Sequence, residues 1–399
     1  MSKNSKVRDS NFLMRNAVDA LPAGELAKQL IEGTKRAGGL RVKLGIDPTA
    51  PDIHLGHVVV LQKLREFQDA GHTIVLIIGD FTARVGDPSG QSKLRPMLEP
   101  DEIKRNASTF QDQAFKVLDE RRTEVRYNSE WLDMPMADLF QLVRTTTVAR
   151  ILERDDFLKR YKAEQPISIL ELLYPLLQGY DSVAVKSNVE VGGTDQKFNL
   201  LLGRTVQQAY GMAPQSILTM PILPGTDGVQ RMSKSTGNYV GIAEPPEEQF
   251  GKLMSIPDSS MSIYYELLTD LEFEAQRHPA EAKRDLAKVV VARFHGPAAA
   301  TAAADHFDRV HRERLAPEEV EEVQISVSEI EDGAVHLPAL IAKHFGGSRS
   351  QARRNLDQGG VRLDGIPLAA DTYDFEAATL DGSILQVGKR KFRRLRVTE

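Results

Sequence analysis

The chain has 399 residues, 41% hydrophobic and 27% charged, with no cysteine and a formal net charge of −5. That is length for roughly two or three domains of ordinary globular composition, and no apolar run is long enough for a membrane-spanning helix. The missing cysteines exclude disulfides, thiolate catalysis and thiolate zinc sites, and the polar start MSKNSKVRDSNF lacks a signal-peptide core, so the expected location is the cytoplasm.

LRVKLGID (40–47) reads as a buried strand and PTAPD as a turn. A helix is predicted from about Ile53 to Ala70, with Gly71 as its terminating glycine. TIVLIIGDF (73–81) is a second apolar strand, so strand, helix and strand form a right-handed parallel crossover. Helical patterns then dominate from Glu99 to about Lys162, interrupted by a strand at EVRYN (124–128). PISILELLYPLLQGYDS (166–182) is an apolar helix with Pro175 as an expected kink. NVEVGG (188–193) is a short strand, and TDQKFNLLLGRTVQQAYG (194–211) a helix with Thr194 and Asp195 as caps and Gly211 as its stop. SILTMPIL (216–223) is a further strand. The alternation predicts an α/β fold: an open, doubly wound parallel sheet, Rossmann-like, with ligands at the carboxyl ends of its strands.

Beyond Pro246 the pattern is all helix to about Arg314, and the acidic stretch 315–333 reads as a linker. The expected divisions are a domain at 1–245 with a helical insertion at about 100–185, a helical domain at 246–325, a linker at 326–336 and a small α+β module at 337–399. That module holds eleven Lys/Arg against seven Asp/Glu, six of the cations within KRKFRRLR (389–396).

Five strings carry chemistry. HLGH puts His54 and His57 on one face of the first helical turn, around Gly56. Unpaired amides and the dipole at a helix start favour anions, and two imidazoles add donors; a metal pair or an idle surface pair are the alternatives. RMSKS (231–235) sets Arg231 and Lys234 on a glycine-flanked loop, either solvated or closing over a polyphosphate. GDPSG (86–90) brings Asp87 to the carboxyl edge, followed by Arg95. YPLLQGYD aligns Tyr174, Gln178 and Asp181 on one helix face, a solvated stripe or a polar pocket wall. GGTDQ places Asp195 at a helix start, as an N-cap or a ribose acceptor.

In this order, HLGH and RMSKS resemble the HIGH and KMSKS signatures of class I aminoacyl-tRNA synthetases. GIDPTAPDIHLGH, GDPSG, YPLLQGYD and GGTDQ together are similar to the bacterial tyrosyl-tRNA synthetases, and the basic module resembles their S4 RNA-binding domain. The resemblance implies a tyrosine–tRNA ligase that forms tyrosyl-adenylate from tyrosine and Mg2+-bound ATP, then charges the 3′ end of tRNA(Tyr). It implies Thr49, His54, His57, Arg95, Arg231 and Lys234 as the groups acting on the ATP phosphates. Gly45, Asp47, Gly56, Gly192, Asp195, Met232, Ser233 and Ser235 would surround ATP and the adenylate. Asp87, Tyr174 and Gln178 would bind the tyrosine ammonium, Asp181 would accept from the phenol, and Gln196 would share the pocket. Lys43 stands where many relatives carry a tyrosine that contacts the phenol; a lysine there either donates to the phenol or pairs with Asp181. Arg349, Arg353, Arg354, Lys389, Arg390, Lys391, Arg393 and Arg394 would contact tRNA phosphates. The resemblance further implies a homodimer formed through the insertion. No protein-held metal site, DNA partner or membrane is expected. Rival readings are a related enzyme of different specificity, such as a tryptophanyl one, and an RNA-binding protein that keeps the fold without the reaction.

Overall fold

The computed structural model describes residues 10–33, 38–49, 51–88, 99–311, 320–388 and 391–398. Its first architectural layer is a six-stranded sheet in the order β1-β6-β5-β2-β3-β4. The strands are β1 (Asp19–Leu21), β2 (Arg41–Ile46), β3 (Thr73–Ile78), β4 (Thr123–Tyr127), β5 (Val189–Gly193) and β6 (Ser216–Met220). All pairings are parallel except β1 with β6. Strands β2 and β3 pair over six residues, Arg41 opposite Thr73 through Ile46 opposite Ile78, and Ile74 to Ile78 are fully buried, as helix-covered parallel strands must be.

The chain winds outward from β2 through β3 to β4, then returns to lay β5 and β6 on the other side of β2. The order therefore reverses between β2 and β5, and a crevice opens there at the strands' carboxyl ends. Edge strand β1 was not legible in advance: its three residues, Asp-Ala-Leu, are too few to show a period.

The helix after β2 runs Leu55–Asp69 with His54 as its N-cap residue and Gly71 in the left-handed region at φ 95°. It buries Leu55, Val58, Val59, Leu61, Leu64 and Phe67 against the sheet. Helix Ile169–Ala184 passes through Pro175 without a break and is capped by Ser168, whose hydroxyl accepts from the Leu170 amide. Thr194 and Asp195 do not cap a helix. They form a 3-10 turn with Gln196, and the regular helix starts at Lys197.

The chain divides into two compact units, Met1–Phe294 and His295–Glu399. The expected helical domain at 246–325 is thus not a unit of its own. Its first helices, Pro246–Met254 and Met261–Leu268, belong with the sheet: the Tyr264 hydroxyl donates to the carbonyl of Pro224 beyond β6 at 2.7 Å.

In the second unit, β7 (Glu322–Ile325), β8 (Ile330–Glu331), β9 (Ala334–His336), β10 (Val361–Leu363), β11 (Ile366–Pro367), β12 (Asp374–Glu376), β13 (Ile384–Val387) and β14 (Lys391–Val397) form sheets ordered β11-β10-β13-β14-β7 and β12-β9-β8. The expected linker is therefore structured. Val323 and Ile325 join the same core as Leu340, Leu356 and Leu385, and β7 pairs in parallel with β14. Glu322 and Gln324 are the exposed half of a two-residue alternation with buried Val323 and Ile325, too short to recognise in the sequence.

Candidate active site

A cavity of about 730 Å³ opens at the reversal point. Strand β2 delivers Gly45 and Asp47, and the turn after it delivers Thr49 and Asp52. The following helix start gives His54, Gly56 and His57; β5 and its turn give Glu190, Gly192, Asp195 and Gln196. Asp87 follows β3, helix Ile169–Ala184 presents Tyr174, Gln178 and Asp181, and the loop after β6 closes one side with Arg231, Met232, Ser233, Lys234 and Ser235. Of the expected residues of the catalytic unit, Arg95 lies outside the described residues, and Lys43 is not in the cavity wall.

The two histidines stack at 3.9 Å between ring centroids, 30° from parallel. His57 Nδ1 accepts from the His54 backbone N–H at 3.3 Å, so neutral His57 carries its proton on Nε2 and has a donor to offer. Burial pushes His54 down to about 2, assisted by His57 and Arg231, and holds His57 down to about 4. Both rings are thus neutral near pH 7. His54 Nδ1 is buried without a hydrogen bond among the described residues. A Cβ on Gly56 would stand 3.0 Å from that nitrogen, so this glycine makes room for the His54 ring itself.

The opposite end is acidic. Asp47 accepts from Thr82 at 2.6 Å and from the Tyr174 hydroxyl at 2.9 Å. Asn128 donates to Thr82 at 2.9 Å. Asp181 accepts from the indole N–H of Trp131 at 2.9 Å, with Asn128 as a second donor. A continuous hydrogen-bonded chain therefore runs from Asp181 through Asn128 and Thr82 to Asp47 and Tyr174. Burial raises both Asp47 and Asp181 to about 7; nearby Asp87 adds to the rise at Asp47, and Lys43 opposes it at Asp181. Burial likewise raises the Tyr174 phenol well above its ordinary value. Asp87 accepts from Gln196 at 2.8 Å and faces the buried Arg154 guanidinium at 3.7 Å. Gln178 is fixed by Asn199, whose side-chain N–H donates to Gln178 Oε1 at 2.9 Å and to Gln196 Oε1 at 3.1 Å. Buried carboxylates clustered at one end of the cavity suit a substrate cation, and Asp181 with its two donors suits a hydroxyl.

The loop cations are paired across the cavity. Arg231 meets Asp195 at 3.2 Å, and Lys234 meets Asp52 at 2.6 Å. Asp195 is raised by burial, with Asp87 adding and Arg231 opposing.

Lys43 requires a correction. It is fully buried and spends its three N–H donors on Glu190 at 2.9 Å, Ser182 at 2.8 Å and the Gln178 carbonyl at 3.1 Å. Among the described residues it forms no ion pair or hydrogen bond with Asp181, and it does not line the cavity. The register explains this: Lys43 lies directly beside Glu190 across the β2–β5 pairing. Glu190, Trp131, Asn128, Thr82, Asn199, Arg154 and Asp52 escaped the sequence reading. Asp52 lies within GIDPTAPDIHLGH, where nothing local distinguishes it from a turn residue; the others acquire their place in the site only through the fold.

In the second unit Arg349, Arg353 and Arg354 are exposed on helix Arg349–Asp357. Lys391 is exposed and donates to the Phe345 carbonyl at 2.7 Å, Arg393 meets Glu321 at 2.9 Å, and Arg394 donates to the Gly382 carbonyl at 3.2 Å. A small pocket lined by Phe345, Gln351, Asn355 and Lys391 joins that helix to β14. Lys389 and Arg390 lie outside the described residues.

The model of the class I tRNA synthetases of the tryptophan and tyrosine type matches residues 35–312. The tyrosine–tRNA ligase of Thermotoga maritima is 51% identical over 397 residues, covering 96% of each chain. That of Moorella thermoacetica is 48% identical, covering 97% of this chain and 95% of its own. Among solved structures, tyrosyl-tRNA synthetase from Archaeoglobus fulgidus, complexed with L-tyrosine, superposes with a TM-score of 0.60 at 25% identity, over 74% of this chain and 98% of its own. With HLGH and RMSKS facing one cavity and these matches spanning nearly the whole sequence, the chain belongs to the class I aminoacyl-tRNA synthetases, in the group that serves tyrosine and tryptophan.

Proposed function

We propose that the cavity joins L-tyrosine to ATP and hands the tyrosyl group to the 3′-terminal adenosine of tRNA(Tyr). The chain is a tyrosine–tRNA ligase, as its near-full-length relatives are. The observation that carries this reading is polarity: a neutral histidine pair and two loop cations at one end, and buried Asp181 with two donors at the other.

Asp87, Tyr174, Gln178 and Gln196 hold the substrate ammonium, and Asp181 accepts the phenol hydrogen bond. The tyrosine carboxylate oxygen attacks the α-phosphorus of ATP; the bond to the β-phosphate oxygen breaks and pyrophosphate leaves. No base is required, because the nucleophile is already ionised, so the work is positioning and charge stabilisation. His57 and His54 donate neutral N–H groups to the phosphates, while Arg231 and Lys234 exchange their aspartate partners for phosphate oxygens. Thr49 acts at the same end, Arg95 is assigned to the phosphates by the sequence resemblance alone, and Gly45, Asp47, Gly192, Asp195, Met232, Ser233 and Ser235 surround the nucleotide. Magnesium arrives as part of the ATP substrate, whose phosphates supply much of its coordination.

The basic residues of the second unit hold tRNA through its phosphates. Met136, Phe140 and Val143 recur at helical spacing and stay exposed, with Val148, Ile169 and Leu170 exposed nearby in sequence; such an apolar surface suits a homodimer contact. No helix among the described residues is long and apolar enough to cross a membrane, and the reaction is assigned to the cytoplasm. Calorimetric titration with tyrosine, phenylalanine and tryptophan tests the amino-acid end. Tyrosine alone should bind tightly, and equal binding of phenylalanine would remove Asp181 from its role.

A further inference from the structure

Lys43 and Glu190 form a buried ion pair at the cavity floor, which Glu190 lines and Lys43 backs, at the point where the strand order reverses. Lys43 is 0% and Glu190 1% exposed. Their hydrogen bonds converge on one turn of helix Ile169–Ala184. Lys43 grips the Gln178 carbonyl at 3.1 Å and the Ser182 hydroxyl at 2.8 Å. Glu190 takes the Gln178 side-chain N–H at 3.3 Å and the Ser182 hydroxyl at 3.2 Å, and Gln215 donates to its second oxygen. Asp181 lies between the two gripped positions of that turn.

We propose that Lys43 and Glu190 are a positioning pair for the amino-acid subsite: they clamp the turn bearing Gln178 and Asp181, and Lys43 sets a buried positive charge behind the phenol acceptor. The inference rests on the reading of Asp181 as the phenol acceptor. Three features support it. A buried lysine whose donors are all used has no capacity left for substrate, so its effect passes through its partners. Glu190 orients the Gln178 amide, leaving its carbonyl oxygen to Asn199 and the cavity. The groups facing Asp181 are Lys43 from β2, Glu190 from β5, and Asn128 and the indole of Trp131 from the segment after β4; Asp47 and Tyr174 follow along the hydrogen-bonded chain. Burial drives Asp181 towards its neutral form, and Lys43 is the leading opposing influence.

Trp131 is the chain's one tryptophan, and it donates directly to Asp181, so its fluorescence reports that carboxyl's protonation. The experiment is a pH titration of this emission, with tyrosine and ATP KM values from pyrophosphate exchange, for the full-length wild type, Asp181→Asn, Lys43→Met and the double variant Lys43→Met/Glu190→Gln. The double variant leaves no buried unpaired ion, so it stays informative if Lys43→Met fails to fold. Asp181→Asn should abolish the titration and raise the tyrosine KM. Lys43→Met should move the midpoint up by at least one pH unit and raise the tyrosine KM at least tenfold, with the ATP KM within twofold of wild type. The double variant should shift both quantities in the same direction. A folded Lys43→Met or double variant with an unmoved midpoint and tyrosine KM would overturn the positioning pair. An Asp181→Asn enzyme with wild-type tyrosine KM would instead overturn the subsite reading beneath it.

Discussion

Replacing Gly79 by alanine tests how tightly the acidic end is built. Gly79 follows β3 on the cavity wall, and a Cβ there would stand 2.0 Å from Asp47 Oδ1 and 2.4 Å from Thr82 Oγ1. Those two atoms are hydrogen-bonded to each other at 2.6 Å. Neither can yield freely, because Thr82 also receives Asn128 and Asp47 also receives Tyr174. The methyl group therefore breaks a buried hydrogen bond to an acid, about 1.5–3 kcal/mol, and overpacks its surroundings, about 1–3 kcal/mol. A loss of about 4 kcal/mol, at roughly 2–4 °C per kcal/mol in a unit of this size, lowers Tm by about 10 °C. Differential scanning calorimetry reads this directly, and the tyrosine KM should rise in parallel. Gly45→Ala is the control: its Cβ meets nothing within 4 Å, so it should melt like wild type while its methyl narrows the cavity. A Gly79→Ala protein with unchanged Tm and tyrosine KM would show that Asp47 is not held by this chain of hydrogen bonds.

Lys234→Ala should slow adenylate formation about 100-fold, the usual loss for one preorganised charge-stabilising donor, with tyrosine affinity unchanged in equilibrium titration. Because Asp47 and Asp181 titrate near 7 in the free protein, kcat/KM for tyrosine should fall as pH drops below about 7. Asp181→Asn should alter that limb and His57→Asn should keep it, since both histidines stay neutral down to about 4. Both carboxyls are raised on folding, so they contribute stability that is fully present below pH 4 and lost as pH rises through 7; the lowered histidines contribute stability present above 6.5 and lost as pH falls through their folded values. The balance is read from Tm against pH in the two variants. Removing residues 320–399 should abolish tRNA charging while pyrophosphate exchange persists. A cut at 337 should instead give an aggregating protein, because β7 would lose β14. Phe140→Asp should shift the sedimentation coefficient from that of a dimer to that of a monomer.

Much of this molecule was legible in the sequence wherever chemistry is concentrated in a string. The apolar strands 40–47 and 73–81, the helix between them and its terminal Gly71 followed from local pattern, and HLGH, YPLLQGYD, GGTDQ and RMSKS marked the residues that the sheet gathers around one cavity. The rest depends on pairing across the sheet. Lys43 acquires its meaning from Glu190, 147 positions away, and only the β2–β5 register makes them neighbours. Asn128 ends the strand EVRYN, and Trp131 and Arg154 lie in the helix-rich region around it, with nothing local to distinguish a hydrogen-bond donor to the site from a packing or surface residue. Short elements were lost for a related reason: β1 and β7 to β9 have two to four residues each, so their identity comes from partners.

Amino-acid-dependent exchange of pyrophosphate into ATP, measured with each of the twenty amino acids and no tRNA, tests the central claim most directly. Exchange supported by tyrosine, falling by orders of magnitude with phenylalanine and tryptophan and lost with tyrosine in Asp181→Ala, is the predicted result. Exchange that prefers tryptophan, or that is absent with every amino acid, would contradict it.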